Sequence, residues 1–184
     1  MKRLPVYSLV FFLGLLSAYI SNDPMQEVID GVSSVEAKRK LIAFREGGIE
    51  RPVSMDSYSK EHVLAKANAL LNTPHKMGGT DEKGIDCSGL VMLAHSVCGI
   101  RLPHSSQEQA RFGKVISSQA NLQEGDLVFF FKSYHTSNLI THSGIYLGDG
   151  KFIHTSNSKG VIISQVDDPY YWGERYLFGT RLYE

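Results

Sequence analysis

The hydrophobic pattern changes period partway along the chain, and that change restricts the fold more than any other feature. In the first part, apolar residues recur at helical spacing. Val63, Leu64, Ala67, Leu70 and Leu71 share one face, and Leu90, Val91, Ala94, Val97 and Cys98 repeat the pattern. Ser59 stands where an N-cap belongs, Pro74 lies beyond the first stretch, and Gly99 sits where a C′ glycine ends the second. Ser105-Ser106-Gln107-Glu108 reads as a capping box that opens a short helix ending near Gly113. Beyond Gln119 the runs are short, β-branched or aromatic: 127–131, 143–147, 151–155, 161–165 and 177–182. Turn residues separate them, Gly148-Asp149-Gly150 among them. Helices followed by strands predict an α+β fold.

Length and composition fit one ordinary domain plus a short extra segment. The chain has 184 residues, 42% hydrophobic and 21% charged, enough for a sizeable core and against wholesale disorder. Nineteen basic residues balance nineteen acidic ones, whereas a nucleic-acid binder normally carries a basic excess, so no nucleic-acid partner is expected. Two cysteines are too few for a disulfide scaffold or a four-thiolate zinc site. Residues 1–21 combine a basic start, Lys2-Arg3, with an apolar run from Val6 to Ile20. This predicts a secretory signal peptide, or an uncleaved membrane anchor, because Tyr19 and Ile20 interrupt a small-x-small cleavage site. No later apolar stretch reaches the ~18 residues needed to cross a membrane. The expectation is an exported protein. Residues 22–58 are mixed and polar, with Val28, Ile29, Val32, Val35, Leu41 and Ile42 able to line a helix face, and read as a spacer able to pack on the domain at 59–184.

The chemistry centres on Asp86-Cys87-Ser88-Gly89. Asp86 is a natural N-cap, which puts Cys87 in the first turn of the following helix. Free N–H groups and the positive end of the helix dipole favour a thiolate there, so a lowered thiol pKa is expected. The same N–H groups suit an oxyanion. Cys98 continues the apolar stripe and reads as a buried structural residue. A Cys87–Cys98 disulfide is excluded, since eleven residues of helix separate them by roughly 16 Å.

A thiolate needs a base. His62 and His95 fall within helical patterns and His135 in a polar loop. His142 and His154 lie on successive strands joined by the glycine turn, and can stand side by side. Both meet one thiolate only if they project from the same sheet face. An unbulged two-residue turn would place them on opposite faces, so a loop of three or five residues with a glycine at positive φ is expected.

Together these residues resemble the NlpC/P60 cell-wall peptidases. The likeness is carried by Gly78-Gly79, Gly84-Ile85-Asp86-Cys87-Ser88-Gly89-Leu90-Val91, Leu102-Pro103, Gly125-Asp126-Leu127-Val128-Phe129-Phe130, His142-Ser143-Gly144-Ile145-Tyr146-Leu147-Gly148 and Phe152-Ile153-His154-Thr155-Ser156. Gly160-Val161-Ile162-Ile163-Ser164 and Pro169-Tyr170-Tyr171-Trp172 are most similar to the NlpC and Spr branch. The resemblance implies a papain-like α+β fold, N-terminal helices packed on a C-terminal antiparallel sheet. It also implies a thiol peptidase hydrolysing stem-peptide or cross-link bonds of bacterial peptidoglycan, in the periplasm or cell envelope. By the family pattern Cys87 is the nucleophile, His142 the base and His154 the polar third member, with no cofactor and no metal. Substrate contacts are expected at His75, Asp86, Ser88 and Ser105. Lys76, Arg101, His104 and Arg111 are further cations flanking Cys87. Three departures stand out. The lipidated cysteine frequent in that branch is missing, His75 replaces a tyrosine, and His104 stands where arginine is common. His75 at the thiolate's edge would add an ionisation to activity that His75→Tyr removes. Two other functions fit the same residues: a non-catalytic wall-binding module on this fold, and a Cys/His/His zinc hydrolase, although no helical His-Glu-x-x-His pairing is present.

Overall fold

A computed structural model describes residues 23–54 and 57–183. The 1–21 segment expected as a leader or anchor lies outside the described residues. Among those described, no helix is long and apolar enough to cross a membrane.

The described residues open with α1 (Pro24–Gly31) and α2 (Val35–Glu46). Asp23 caps α1 by accepting from Met25 N, and Ser34 caps α2 by accepting from Ala37 N. This is the segment read as a spacer. Its Met25, Val28, Ile29, Leu41 and Phe44 enter the same core as the residues that follow, whereas Val35 stays 83% exposed. Helix α3 (Lys60–Ala69) begins at Ser59, whose hydroxyl accepts from His62 N. A small hairpin, β1 (Thr80–Asp81) and β2 (Gly84–Ile85), leads into α4 (Cys87–Ser96), and the single turn α5 (Ser106–Gln109) follows. The predicted apolar stripes hold except at their ends. Leu71 and Val97 are 36% and 46% exposed because each lies beyond the last residue of its helix.

Six strands form one antiparallel sheet: β3 (Lys114–Ile116), β4 (Leu127–Phe131), β5 (Ile140–Gly148), β6 (Lys151–Ser156), β7 (Gly160–Gln165) and β8 (Tyr176–Arg181). Their spatial order is β3-β8-β4-β5-β6-β7. The sequence pattern marks five of them, while β3, at three residues, is too short to carry a visible alternation. Alternation splits the sheet into two faces. Leu127, Phe129, Ile145, Ile153 and Phe178 join the helices in the main core. Val128, Phe130, Tyr146, Phe152 and Trp172 form a second cluster.

The β5–β6 hairpin corrects one expectation. Its turn has two residues, Asp149 and Gly150, both at positive φ, and Gly148 pairs with Lys151. The odd residue is placed in the strand instead: Leu147 is bulged out between Gly148↔Lys151 and Tyr146↔Phe152. The bulge restores the register that an odd loop would have produced. His142 and His154 therefore share a face.

Candidate active site

The first turn of α4 is held by an unusually well-satisfied cap. Asp86 Oδ1 accepts from Gly89 N at 2.7 Å and from Ser88 Oγ at 3.0 Å, and Oδ2 accepts from Gly78 N at 2.9 Å. His104 Nε2 donates to Oδ1 at 2.8 Å. Such a cap requires the 78–79 backbone to run against the helix. Any Cβ on Gly89 would collide with Gly79 O, and one on Gly79 with Gly84 O. These close approaches explain the spacing of the glycines around Cys87.

Behind Cys87 runs a directed chain of hydrogen bonds. Gln109 Nε2 donates to Ser88 O at 2.8 Å and Pro103 O at 2.9 Å, which turns Oε1 toward Ser143. Ser143 Oγ donates to that oxygen at 3.2 Å. With its proton so engaged, Ser143 accepts from Ser106 Oγ at 2.9 Å. Ser106 is left as an acceptor for the Cys87 thiol, 3.5 Å away. Burial pushes this thiol up, and the neighbouring Asp86 carboxylate pushes the same way. Opposing them are backbone hydrogen bonds from Ser143 and Ser88, and the Ser106 hydroxyl once it turns to donate. The lowered pKa expected from the helix N-terminus is thus corrected. Burial by the surrounding fold is the largest influence on this thiol.

Across the cleft, His142 Nε2 lies 3.0 Å from His154 Nδ1, and His154 Nε2 lies 3.0 Å from Ser164 Oγ. Trp172 stacks on His142 at 4.8 Å between ring centres, and Phe152 on His154 at 4.6 Å. Aromatic enclosure removes both rings from water. Burial drives His142 well below the usual histidine range, helped by His154 and His75, and lowers His154 to about 4. Both imidazoles are therefore neutral at pH 7. If His142 is to take a proton at Nδ1, its Nε2–H must donate to His154, which in turn donates to Ser164. The three partners admit that arrangement throughout.

A cleft of about 940 Å³ brings together His75, Asp86, Cys87, Ser88, Ser105, His142 and His154, every residue expected at the site. The Ser88 hydroxyl is turned inward onto Asp86. Ser105 caps α5, accepting from Glu108 N at 3.4 Å. Lys76 and Arg101 are exposed and outside the cleft lining. Arg111 points away, its Nη1 donating to Phe44 O and Gly48 O. Cys98 is buried, its thiol against the Ser59 backbone. Ser106, Ser143, Gln109, Ser164 and Trp172 escaped the sequence reading. Ser164 was findable, since strand alternation sets it on the face of His154. Among the described residues, no group of three or more His, Cys, Asp or Glu side chains is disposed to hold a metal ion.

Comparisons place this geometry among known proteins. A family model described as NlpC/P60 family matches residues 72–181. The chain is 44% identical over 109 residues to a murein DD-endopeptidase MepS/murein LD-carboxypeptidase of Escherichia coli K12, covering 59% of this chain and 55% of that protein. It is 37% identical over 125 residues to a gamma-DL-glutamyl hydrolase of Bacillus subtilis strain 168, covering 67% of this chain and 30% of that one. The chain thus spans less than two thirds of these curated relatives. Among solved structures, an NlpC/P60 family protein from Bacillus cereus ATCC 10987 superposes with a TM-score of 0.63 at 28% identity, over 70% of this chain and 42% of that one. A family match running through the Asp86-capped helix and both histidine strands, with the same α+β architecture, leaves one assignment: the chain belongs to the NlpC/P60 family.

Proposed function

We propose that this chain is a cysteine peptidase that hydrolyses amide bonds in the stem peptides or cross-links of bacterial peptidoglycan. The observation that carries the proposal is the relay His142–His154–Ser164, facing one cleft with a helix-capped cysteine. His142 takes the Cys87 proton through Nδ1 as the sulfur attacks the scissile carbonyl. It then gives that proton to the leaving amine as the C–N bond breaks. Water, activated by the same imidazole, releases the acyl group. The first N–H groups of α4 supply oxyanion donors. A neutral thiol and imidazole at rest suit a proton transfer that accompanies attack. His75 and Ser105, at the cleft wall, contact the substrate. Residues 59–184 carry the site, and the basic-then-apolar 1–21 stretch supports export to the cell envelope.

Purified peptidoglycan with and without a chelator tests the reading. Cys87→Ala is expected to abolish release of muropeptide amines while keeping the wild-type melting profile. Iodoacetamide inactivates through Cys87, and EDTA has no effect. Full turnover by the alanine variant ends the proposal, EDTA inactivation points to a zinc hydrolase, and wall binding without turnover points to a binding module.

A further inference from the structure

We infer that His104 is a positioning residue that sets the reactivity of the Cys87 thiol through Asp86. Asp86 has four donors on its two oxygens. Gly78 N, Gly89 N and the Ser88 hydroxyl are fixed neutral dipoles, and His104 Nε2, at 2.8 Å, is the partner among them whose charge can change. A carboxylate only accepts, so Nε2 carries a hydrogen whether the ring is neutral or charged. The hydrogen bond therefore persists in both states, and only the charge behind it alters. The His104 side chain is 28% open to solvent.

The consequence falls on the next residue. Asp86 directly precedes Cys87, and its negative charge opposes formation of a thiolate. An imidazolium on His104 cancels that charge locally, and a neutral imidazole does not. The other titratable groups on this cleft are His75 before β1, Tyr134 between β4 and β5, His142 on β5, His154 on β6, Lys159 in the β6–β7 turn and Tyr171 between β7 and β8. Of these, His75 and His154 act on His142, and Tyr134 is itself pushed up by burial and by Cys87 and Asp86. His104 alone among the cleft histidines is hydrogen-bonded to the cap.

The inference rests on Cys87 being the nucleophile, but its test reads the thiol itself. Failure of the peptidase reading and failure of this one therefore show in separate assays. The second-order rate of Cys87 alkylation by uncharged iodoacetamide is followed by peptide-resolved mass spectrometry, which counts Cys98 separately. Wild type is compared with His104→Gln, a donor without charge, and His104→Arg, a donor permanently charged. At acid pH wild type should follow the arginine variant and react several-fold faster than the glutamine variant. At alkaline pH it should fall to the glutamine curve while arginine stays several-fold faster. Coincidence of wild type with His104→Gln at every pH, or of the two variants with each other, overturns the inference. If a variant does not fold, the wild-type profile decides together with histidine-ring NMR. A lower inflection whose midpoint matches the His104 ring supports the inference, and a profile with no inflection at that midpoint overturns it.

Discussion

At the scale of single residues, this protein places neutral imidazoles where water is excluded, and a loss of stability in acid follows from that. His95, on α4, is fully buried. Its Nδ1–H donates to Val91 O at 2.8 Å, and its Nε2 has no hydrogen-bond partner. Burial lowers its pKa from the ordinary 6.5 to about 4, and that of His154 likewise. A histidine whose folded pKa is depressed binds fewer protons folded than unfolded. Its contribution is complete above the unfolded value and is lost as pH falls from 6.5 toward 4. At pH 5 the loss is about 2 kcal/mol for His95 alone. His154 loses stability over the same range, and burial shifts His142 in the same direction. His95→Met should leave urea stability at pH 7 within about 1 kcal/mol and weaken the decline toward pH 5 by about one proton's worth. An unchanged slope of stability against pH in that variant would show that His95 does not take part.

Elements depend on backbone approaches that tolerate no added atom. The β1–β2 hairpin and the first turn of α4 interlock through Gly79, Gly84 and Gly89, and Asp86 closes the contact with hydrogen bonds to both sides. Gly89→Ala directs its methyl into a backbone carbonyl rather than a movable side chain. The expected cost is roughly 2–3 kcal/mol, with slower Cys87 alkylation because the cap must shift. Gly31→Ala is the control: a methyl at the end of α1 meets nothing within 4 Å, and its melting temperature should hold or rise slightly. Equal melting temperatures for the two variants would remove the interlock from the account. The β5–β6 hairpin works by a different device. Its bulge at Leu147 shifts register without lengthening the turn, so the histidine pair depends on one looped-out residue.

The whole molecule is larger than its strand-and-helix pattern suggests, because Arg111 ties the first two helices to the domain. Its Nη1 donates to Phe44 O and Gly48 O at 2.8 and 2.9 Å, Nε donates to Glu108 at 3.0 Å, and the guanidinium lies 4.3 Å from the Phe44 ring centre. Glu50 adds a hydrogen bond from Val115 N at 2.9 Å, joining the segment to β3. Phe44 in turn meets Phe178 of β8 at 6.2 Å. Arg111→Met leaves two carbonyls short of a charged donor and should cost about 2 kcal/mol. Limited proteolysis should then release the 24–46 helices earlier than in wild type. Identical digestion kinetics would mean that the apolar contacts of Met25, Leu41 and Phe44 hold the segment without the arginine.

What the chain determines locally is legible without coordinates. The change of hydrophobic period yields α+β, Ser59 and Asp86 start their helices, and Gly99 takes the positive φ assigned to it, because caps and periodicity depend on residues within a turn or two. Cys87 at a helix start and two histidines on neighbouring strands were readable for the same reason. Counting residues, however, cannot say whether an odd residue goes into a turn or a bulge, since both satisfy the same-face requirement. Ser106, Ser143 and Gln109 become one chain only where α5 meets β5, and Arg111 finds its acceptors some sixty residues away. The thiol shows the division most clearly. The helix dipole acting on Cys87 is a local term, visible in Asp86-Cys87-Ser88-Gly89, but desolvation sums over everything packed around the sulfur. That sum exists only in the folded protein, and it is the largest influence on the thiol, which it pushes up.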